Sequence, residues 1–225
     1  SFEIPICCTA EKGRIMSGIV LTIAQQKGGS GKTTLAINLA IEALYRGKRV
    51  AVVDTDPQGS LGRWFMTRID ALGAPDLELS TASAWGVSYE VGKLADKFDI
   101  VIVDTPPKAD SDLRPALRAA DLVVVPVAAS HVDLWATEGV LDLARRENRP
   151  ALVVLNRTRP NTRLGKDIAE KASGLNALLG KASLANRVAF AEAPGLGKGV
   201  RELGRAKPAA AEIEALFDEI MAVFS

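Results

Sequence analysis

Six short apolar segments recur along the 225-residue chain, with helix-length stretches between them. Most are near-continuous runs of Val, Ile and Leu, as is typical of strands covered by helices on both faces. Alternating strands and helices indicate βαβ units and a parallel sheet. The predicted strands are Ile19–Ala24, Arg49–Asp54, Leu77–Ser80, Phe98–Asp104, Leu122–Val127 and Ala151–Leu155. The predicted helices are Lys32–Tyr45, Val87–Lys97, Leu113–Ala119, Leu134–Arg146, Leu164–Leu179 and Ala209–Phe224.

This pattern predicts a single α/β domain with a doubly wound, mostly parallel sheet, because a chain below about 250 residues usually forms one core. Residues 1–16 lie outside the pattern and are interpreted as an N-terminal extension, non-native or disordered. The domain is expected over residues 17–225.

Composition excludes several classes of protein. The two cysteines, Cys7 and Cys8, are adjacent, so neither a disulfide framework nor a paired-cysteine metal site is expected. A single histidine argues against a histidine metal site, and the longest apolar run, Leu122–Ala129, is too short to span a bilayer. We expect a soluble protein of a reducing cytosol. The 28 Lys and Arg balance 27 Asp and Glu, which excludes a uniformly basic protein but leaves room for a local basic patch.

A glycine-rich segment, Lys27–Thr34, lies between the first predicted strand and the first predicted helix. Glycines let successive backbone N–H groups point at phosphate oxygens, and the helix N-terminus adds partial positive charge. Lys32 is placed to reach the β- and γ-phosphates, and the Thr33 hydroxyl to bind Mg²⁺. The segment predicts a phosphate-binding loop. The predicted nucleotide-binding residues here are Gly28, Gly29, Ser30, Gly31, Lys32, Thr33 and Thr34.

Carboxylates follow two other predicted strands. Asp54 and Asp56 end the second strand, and Asp104 ends the fourth. Ligand sites in open α/β sheets lie at the carboxyl ends of the strands, so these three side chains are expected to converge on the phosphates. Phosphoryl transfer needs carboxylates that hold Mg²⁺ and a group that orients the attacking water.

Together these motifs resemble those of the ParA/MinD group of P-loop ATPases, whose deviant Walker A signature is KGGxGK[ST]. The resemblance implies ATP and Mg²⁺ as cofactors and an ATP-sandwich dimer, in which Lys27 reaches the partner's nucleotide. It implies that Asp56 positions the hydrolytic water, that Asp54 helps organise the magnesium shell and that Asp104 is the Walker B aspartate. Lys27, Lys32 and Asp56 would form the catalytic set.

The resemblance continues to the C-terminus. Asn156 matches the position that contacts adenine, and Pro194 lies in a segment that resembles the late loop beside the base. The last predicted helix carries four acidic residues and no Lys or Arg, so a membrane anchor is not expected. No helix-turn-helix precedes the domain, so operator binding is not expected either.

Basic residues gather in the second half of the chain: eight Lys or Arg against three acids between Arg145 and Lys171, and five against two between Arg187 and Lys207. Small ParA-type partition ATPases, the closest members of the group, bind DNA non-specifically through this half. Such binding neutralises phosphates and weakens with salt. The candidate DNA-binding residues are Arg157, Arg159, Arg163, Arg187, Lys198, Arg201, Arg205 and Lys207.

The resemblance therefore implies a cytoplasmic, nucleoid-associated ATPase that segregates or spaces a plasmid, chromosome or protein cluster, with a cargo-bound activator protein as its partner. Two alternatives remain open. One is an ATP-dependent ligase or synthetase on the same fold, and the other is a non-enzymatic DNA or scaffold binder with a vestigial nucleotide site.

Overall fold

The computed structural model describes residues 17–107, 113–128, 130–159, 170, 174 and 177–225. Within these residues seven strands form one sheet in the order β3-β2-β4-β1-β5-β6-β7, and every neighbouring pair is parallel. The strands are β1 (Ile19–Ile23), β2 (Val50–Asp54), β3 (Glu78–Thr81), β4 (Ile100–Asp104), β5 (Leu122–Ala128), β6 (Ala151–Asn156) and β7 (Leu178–Leu179).

The helices cover both faces of this sheet. In the described residues they are α1 (Lys32–Tyr45), α2 (Ser60–Leu72), α3 (Val87–Ala95), α4 (Arg114–Ala119), α5 (His131–Arg146), α6 (Ala189–Gly195) and α7 (Lys207–Ala222). The helices α1, α2, α6 and α7 pack on one face, and α3, α4 and α5 pack on the other. The predicted single-domain, doubly wound α/β fold is confirmed, and its sheet is wholly parallel where it is described.

Successive residues of the central strands are buried on opposite faces. In β4, Ile100 and Ile102 join the α1 side of the core, whereas Val101 and Val103 pack toward α3 and α4. A strand buried on both faces has no polar positions to alternate, which explains its continuous apolar sequence. The site lies where these strands end, because β1 is followed by the glycine-rich segment, and β2 and β4 end at Asp54 and Asp104.

Three helices were missed or misplaced by the sequence prediction. The helix α2 buries Leu61, Trp64 and Arg68 at helical spacing, but one of the three is an arginine, which a sequence prediction does not expect at a buried position. The short α6 carries Pro194, which argues against a helix in sequence. The helix α5 begins at His131 rather than Leu134, because the Ser130 side chain accepts a hydrogen bond from the Asp133 backbone N–H and caps it.

The predicted helix Leu164–Leu179 is wrong at its described end. Leu178 and Leu179 form β7, which pairs in parallel with Leu152 and Val153 of β6. Two adjacent leucines are compatible with a helix or a strand, and here they form a strand because they pair with the edge of β6. The other described residues of that range, 170, 174 and 177, do not settle the rest of it, and residues 1–16 lie outside the description. No helix of the described chain is long and apolar enough to cross a membrane.

Candidate functional site

The glycine-rich segment turns between β1 and α1 with a backbone that needs glycine at two positions. Gly29 and Gly31 have φ values of +74° and +93°, in the left-handed region that L side chains rarely adopt. A Cβ on Gly31 would also lie 2.5 Å from Asn156 Nδ2, too close for a real contact. Gly31 immediately precedes α1, so the loop ends with free backbone N–H groups at a helix N-terminus. The predicted phosphate-binding loop has the local geometry that its chemistry requires.

Thr33 and Asp104 meet at the start of α1. The Thr33 hydroxyl donates a 2.6 Å hydrogen bond to Asp104 Oδ2. Asp104 is almost fully buried, and its Oδ1 accepts no hydrogen bond from the described residues. Burial raises the pKa of Asp104 to about 7, against the lowering effect of the Thr33 hydrogen bond. A buried carboxylate oxygen without a protein partner, next to a hydroxyl, suits a cation held by oxygen ligands.

Lys32 is the buried cation of the site. Only 7% of the residue is exposed, although lysine is rarely buried in proteins. Burial lowers the pKa of Lys32, and the nearby charges of Asp104 and Asp56 partly restore it. An ammonium group held in a loop of backbone donors is suited to bind phosphate oxygens.

Asp54 holds the segment that follows β2. Its Oδ1 accepts from the Asp56 backbone N–H at 3.0 Å, and its Oδ2 accepts from the Gly62 N–H, also at 3.0 Å. Burial raises the pKa of Asp54, and these two backbone hydrogen bonds oppose the rise. Asp54 therefore fixes both the turn that carries Asp56 and the start of α2. Its place in a magnesium shell stays a prediction.

Asp56 lies beside the phosphate-binding loop. It lines a cavity of about 410 Å³, here called the phosphate cavity, together with Lys32, Thr33 and Thr34. Asp56 Oδ1 accepts from the Gln58 backbone N–H at 2.9 Å, which holds the half-buried carboxylate in place. The cavity is also lined by Gly28, Gly29, Gly31, Gln58, Ser60, Pro107 and Arg157. In the described structure no three His, Cys, Asp or Glu side chains form a metal-binding cluster, so a metal ion here depends on ligand oxygens as well.

A second cavity, the base cavity, has a volume of about 210 Å³ and shares Gly31 and Thr34 with the phosphate cavity. Asn156 lines it, and its Nδ2 donates to the Ser30 carbonyl oxygen at 2.8 Å. Pro194 does not line this cavity; it lies with Thr33 and Thr34 in a third cavity, between α1, α2 and α6. The structure therefore brings Asn156, but not Pro194, to the base cavity.

Sequence reasoning missed part of the base cavity wall. Leu184, Asn186 and Phe190 line it, and they come from the segment after β7 and from α6. Neither element was predicted, so no sequence signal placed these residues opposite α1.

Lys27 forms an ion pair within its own chain. Its Nζ lies 2.7 Å from Asp133 Oδ1, and the carboxylate of Asp133 is nearly buried whereas the Lys27 side chain is 41% exposed. The Ser130 hydroxyl also hydrogen-bonds to Asp133 Oδ2. Asp133 was missed in the sequence, although Ser130 followed three residues later by an acid is a helix-start signature.

The candidate DNA-binding residues divide into two sets. Three are ion-paired: Arg187 with Glu212 at 2.7 Å, Arg201 with Glu214 at 2.9 Å and Arg205 with Glu192 at 2.8 Å. Of the others, Arg157, Lys198 and Lys207 make no ion pair with any described residue, Arg159 is exposed and has an interaction partner, and Arg163 lies outside the described residues. A cation already paired has less charge to offer DNA phosphates, so Lys198 and Lys207 are better candidates than the three paired arginines.

Comparison with known proteins places these features in a family. The model described as the CobQ/CobB/MinD/ParA nucleotide binding domain matches residues 21–200. Maintenance of carboxysome distribution protein A from Halothiobacillus neapolitanus is 31% identical over 212 residues, covering 89% of this chain and 95% of that protein. The chromosome-partitioning ATPase Soj from Thermus thermophilus is 30% identical over 239 residues, covering 90% and 95%.

Solved structures agree on the fold. The cell division ATPase MinD from Pyrococcus furiosus superimposes with a TM-score of 0.76 at 20% identity, covering 92% of this chain and 99% of that one. A variant of McdA from Cyanothece in complex with ATP gives a TM-score of 0.76 at 18% identity, covering 91% and 96%. With a family model matched over most of its length and two full-length relatives, the chain belongs to the CobQ/CobB/MinD/ParA family of nucleotide-binding domains.

Proposed function

We propose that this chain is a partition or positioning ATPase, which uses ATP binding and hydrolysis to segregate or space a cargo. The observation that carries the proposal is the set of groups at one edge of the sheet: Lys32, Thr33 and Asp56 line one cavity, and Thr33 is hydrogen-bonded to Asp104. Relatives named for chromosome partitioning and for carboxysome distribution support the same general activity.

Mg²⁺ fits the residues at the start of α1. The Thr33 hydroxyl would be a direct ligand, and Asp104 would hold the ion through the oxygen that no described residue hydrogen-bonds. When bound, the ion neutralises charge on the phosphate oxygens. The remaining chemistry belongs to the chain itself. Lys32 binds the phosphates, and the Asp56 carboxylate orients a water molecule for attack on the γ-phosphate.

Lys27 connects nucleotide binding to dimerisation in this proposal. The ion pair with Asp133 holds the ammonium group on its own protomer. Formation of an ATP-sandwich dimer requires Lys27 to leave Asp133 and to bind the nucleotide of the partner. An ion pair with a partly exposed lysine contributes about 1 kcal/mol or less, so phosphate oxygens compete readily with the carboxylate.

DNA binding is proposed for Lys198 and Lys207, which make no ion pair in the described chain, together with the exposed Arg159. The contacts would be to phosphates, without sequence preference. A dimer doubles the number of such cations, which makes DNA binding dependent on ATP. A cargo-bound activator that accelerates hydrolysis would then separate the dimer and release the DNA, in the nucleoid.

A mobility-shift assay on non-specific DNA tests the proposal. The protein is compared with ADP and with a non-hydrolysable ATP analogue at several salt concentrations. We expect a shift with the analogue alone, weakening steeply with salt. DNA-independent turnover that requires a small carboxylate or amine would instead indicate a ligase. An equal mobility shift with ADP and with the ATP analogue, in a protein that does not hydrolyse ATP, would indicate a non-enzymatic DNA or scaffold binder with a vestigial nucleotide site.

Paired variants locate the DNA surface. Lys198→Ala combined with Lys207→Ala should reduce the slope of log affinity against log salt by about 1 for each DNA phosphate that the variant no longer neutralises. The matched control combines Lys48→Ala and Lys97→Ala, because these exposed lysines precede β2 and β4 at the opposite edge of the sheet. Equal reductions in both double variants would contradict the assignment.

A further inference from the structure

Arg157 occupies the junction of two cavities. It follows Asn156, the last residue of β6, and lines both the base cavity and the phosphate cavity. The two cavities share only Arg157, Gly31 and Thr34 among their described lining residues. If a nucleotide places its base in the base cavity and its terminal phosphates in the phosphate cavity, its sugar and first phosphate lie at this junction.

The backbone of Arg157 is held in an unusual conformation. Its φ of +53° lies in the left-handed region, which is uncommon for a residue other than glycine, asparagine or aspartate. The Arg157 backbone N–H donates to Asn156 Oδ1 at 2.9 Å, and Asn156 Nδ2 donates to the Ser30 carbonyl oxygen of the phosphate-binding loop. The side chain of Asn156, a residue that is only 7% exposed, therefore connects Arg157 to the loop.

The guanidinium group of Arg157 has no ion pair within the described chain, in contrast to Arg187, Arg201 and Arg205. A strained backbone costs stability, and such strain is concentrated at ligand-binding and active sites. The strained backbone of Arg157 places its guanidinium, which has no ion pair in the described chain, at the phosphate cavity. Arginine binds phosphate oxygens with two parallel hydrogen bonds, which favours it over lysine where orientation matters.

We propose that Arg157 is a nucleotide-binding residue, whose guanidinium binds the phosphate nearest the sugar at the junction of the two cavities. Its cation thus serves ATP and ADP rather than DNA. The inference rests on the proposed function only in taking these two cavities as the nucleotide site. Because the contacted phosphate is present in both nucleotides, ADP and ATP should depend on Arg157 equally.

Nucleotide titrations of the Mg²⁺-loaded protein without DNA test this inference. Arg157→Ala should raise the dissociation constants of ADP and of a non-hydrolysable ATP analogue about tenfold each, and Arg157→Lys should raise them less. Arg146→Ala is the matched control, since Arg146 is an exposed arginine near the end of α5 that lines neither cavity. It should bind both nucleotides like the wild type.

Arg157→Gly separates binding from folding. Glycine accepts the positive φ without strain, so this variant should unfold at the wild-type temperature or above it while losing the same nucleotide affinity as Arg157→Ala. If the dissociation constant of either nucleotide changes less than threefold in both variants, the inference is overturned. A loss of affinity confined to the ATP analogue overturns it as well, because Arg157 would then bind the γ-phosphate. Failure of the wild type itself to bind nucleotide would instead refute the proposed function.

Discussion

The ammonium group of Lys27 lies 2.7 Å from the carboxylate of Asp133 in the same chain, and Asp133 is almost buried at the first turn of α5. The family resemblance implies that Lys27 reaches the nucleotide of a partner, but in this chain Lys27 is paired with Asp133. In the proposed sandwich dimer, the partner's nucleotide and Asp133 would compete for this one ammonium group.

Asp133→Asn should favour the ATP-bound dimer. Asparagine keeps the shape of the side chain and can still accept from Ser130, but it removes the charge that holds Lys27. Because each protomer gives up one such pair and each pair contributes about 1 kcal/mol or less, we expect the dimer to form at a protein concentration lower by up to about 30-fold. Analytical ultracentrifugation with the non-hydrolysable ATP analogue measures this. Asp142→Asn, an exposed position on the same helix, is the control, and an identical shift there would show a general charge effect.

Lys32→Ala or Lys32→Gln should abolish nucleotide binding, because the phosphates would lose the buried cation of the loop. Isothermal titration with ATP and Mg²⁺ measures the loss. Since Lys32 is buried between acids, the folded state of each variant is confirmed by circular dichroism. Normal ATP affinity in a folded variant would mean that the loop does not bind the phosphates.

Asp56→Ala should bind ATP and dimerise but hydrolyse little. Its carboxylate lines the phosphate cavity, whereas the hydrogen bonds from the backbone of Asp56 and Gly62 to Asp54 do not need the Asp56 side chain. Loss of a positioned catalytic group typically reduces turnover by about 10²- to 10⁴-fold. Phosphate release under single-turnover conditions measures it, and wild-type turnover would assign the catalytic role elsewhere.

Arg68→Met should destabilise the domain. The buried guanidinium bonds Asp76, Glu202 and the Gly197 carbonyl oxygen, with 2.7 Å from Nε to Asp76 Oδ1. Burial would lower the pKa of Arg68, but the hydrogen bonds to the two acids raise it above its usual value. Breaking a buried pair costs about 3 kcal/mol. Urea unfolding measures the change, with the exposed Arg63→Ala on the same helix expected to change little.

The sheet and the catalytic edge could be predicted because their signals are local. Continuous apolar runs mark strands buried on both faces, and the carboxyl end of each run must lie at the same edge of a parallel sheet. That rule predicted that Asp104 would lie near the glycine-rich loop, and the structure joins it to Thr33 of that loop by a hydrogen bond.

What the sequence could not predict depends on distant partners. Arg68 can be buried in α2 because it hydrogen-bonds to Gly197 and Glu202, and those residues are 129 and 134 positions away along the chain. The position of Pro194 also depends on distant residues: it lines a cavity with Thr33, Thr34 and residues of α2, whereas its proposed contact with the base stays a prediction. Counting charges along the sequence also could not show that Arg187, Arg201 and Arg205 each form an ion pair with a glutamate.

Both ends of α2 are attached to functional segments. At its start, Asp54 binds the backbone of Gly62 and of Asp56, and further along Arg68 binds the loop at Gly197. Trp64, between them, donates from its indole to the carbonyl oxygen of Lys198. The helix is therefore hydrogen-bonded both to the turn of Asp56 and to the loop at Gly197 and Lys198. Under the proposed function, this helix connects the turn of Asp56, proposed to orient the attacking water, with the segment that bears Lys198, proposed to bind DNA.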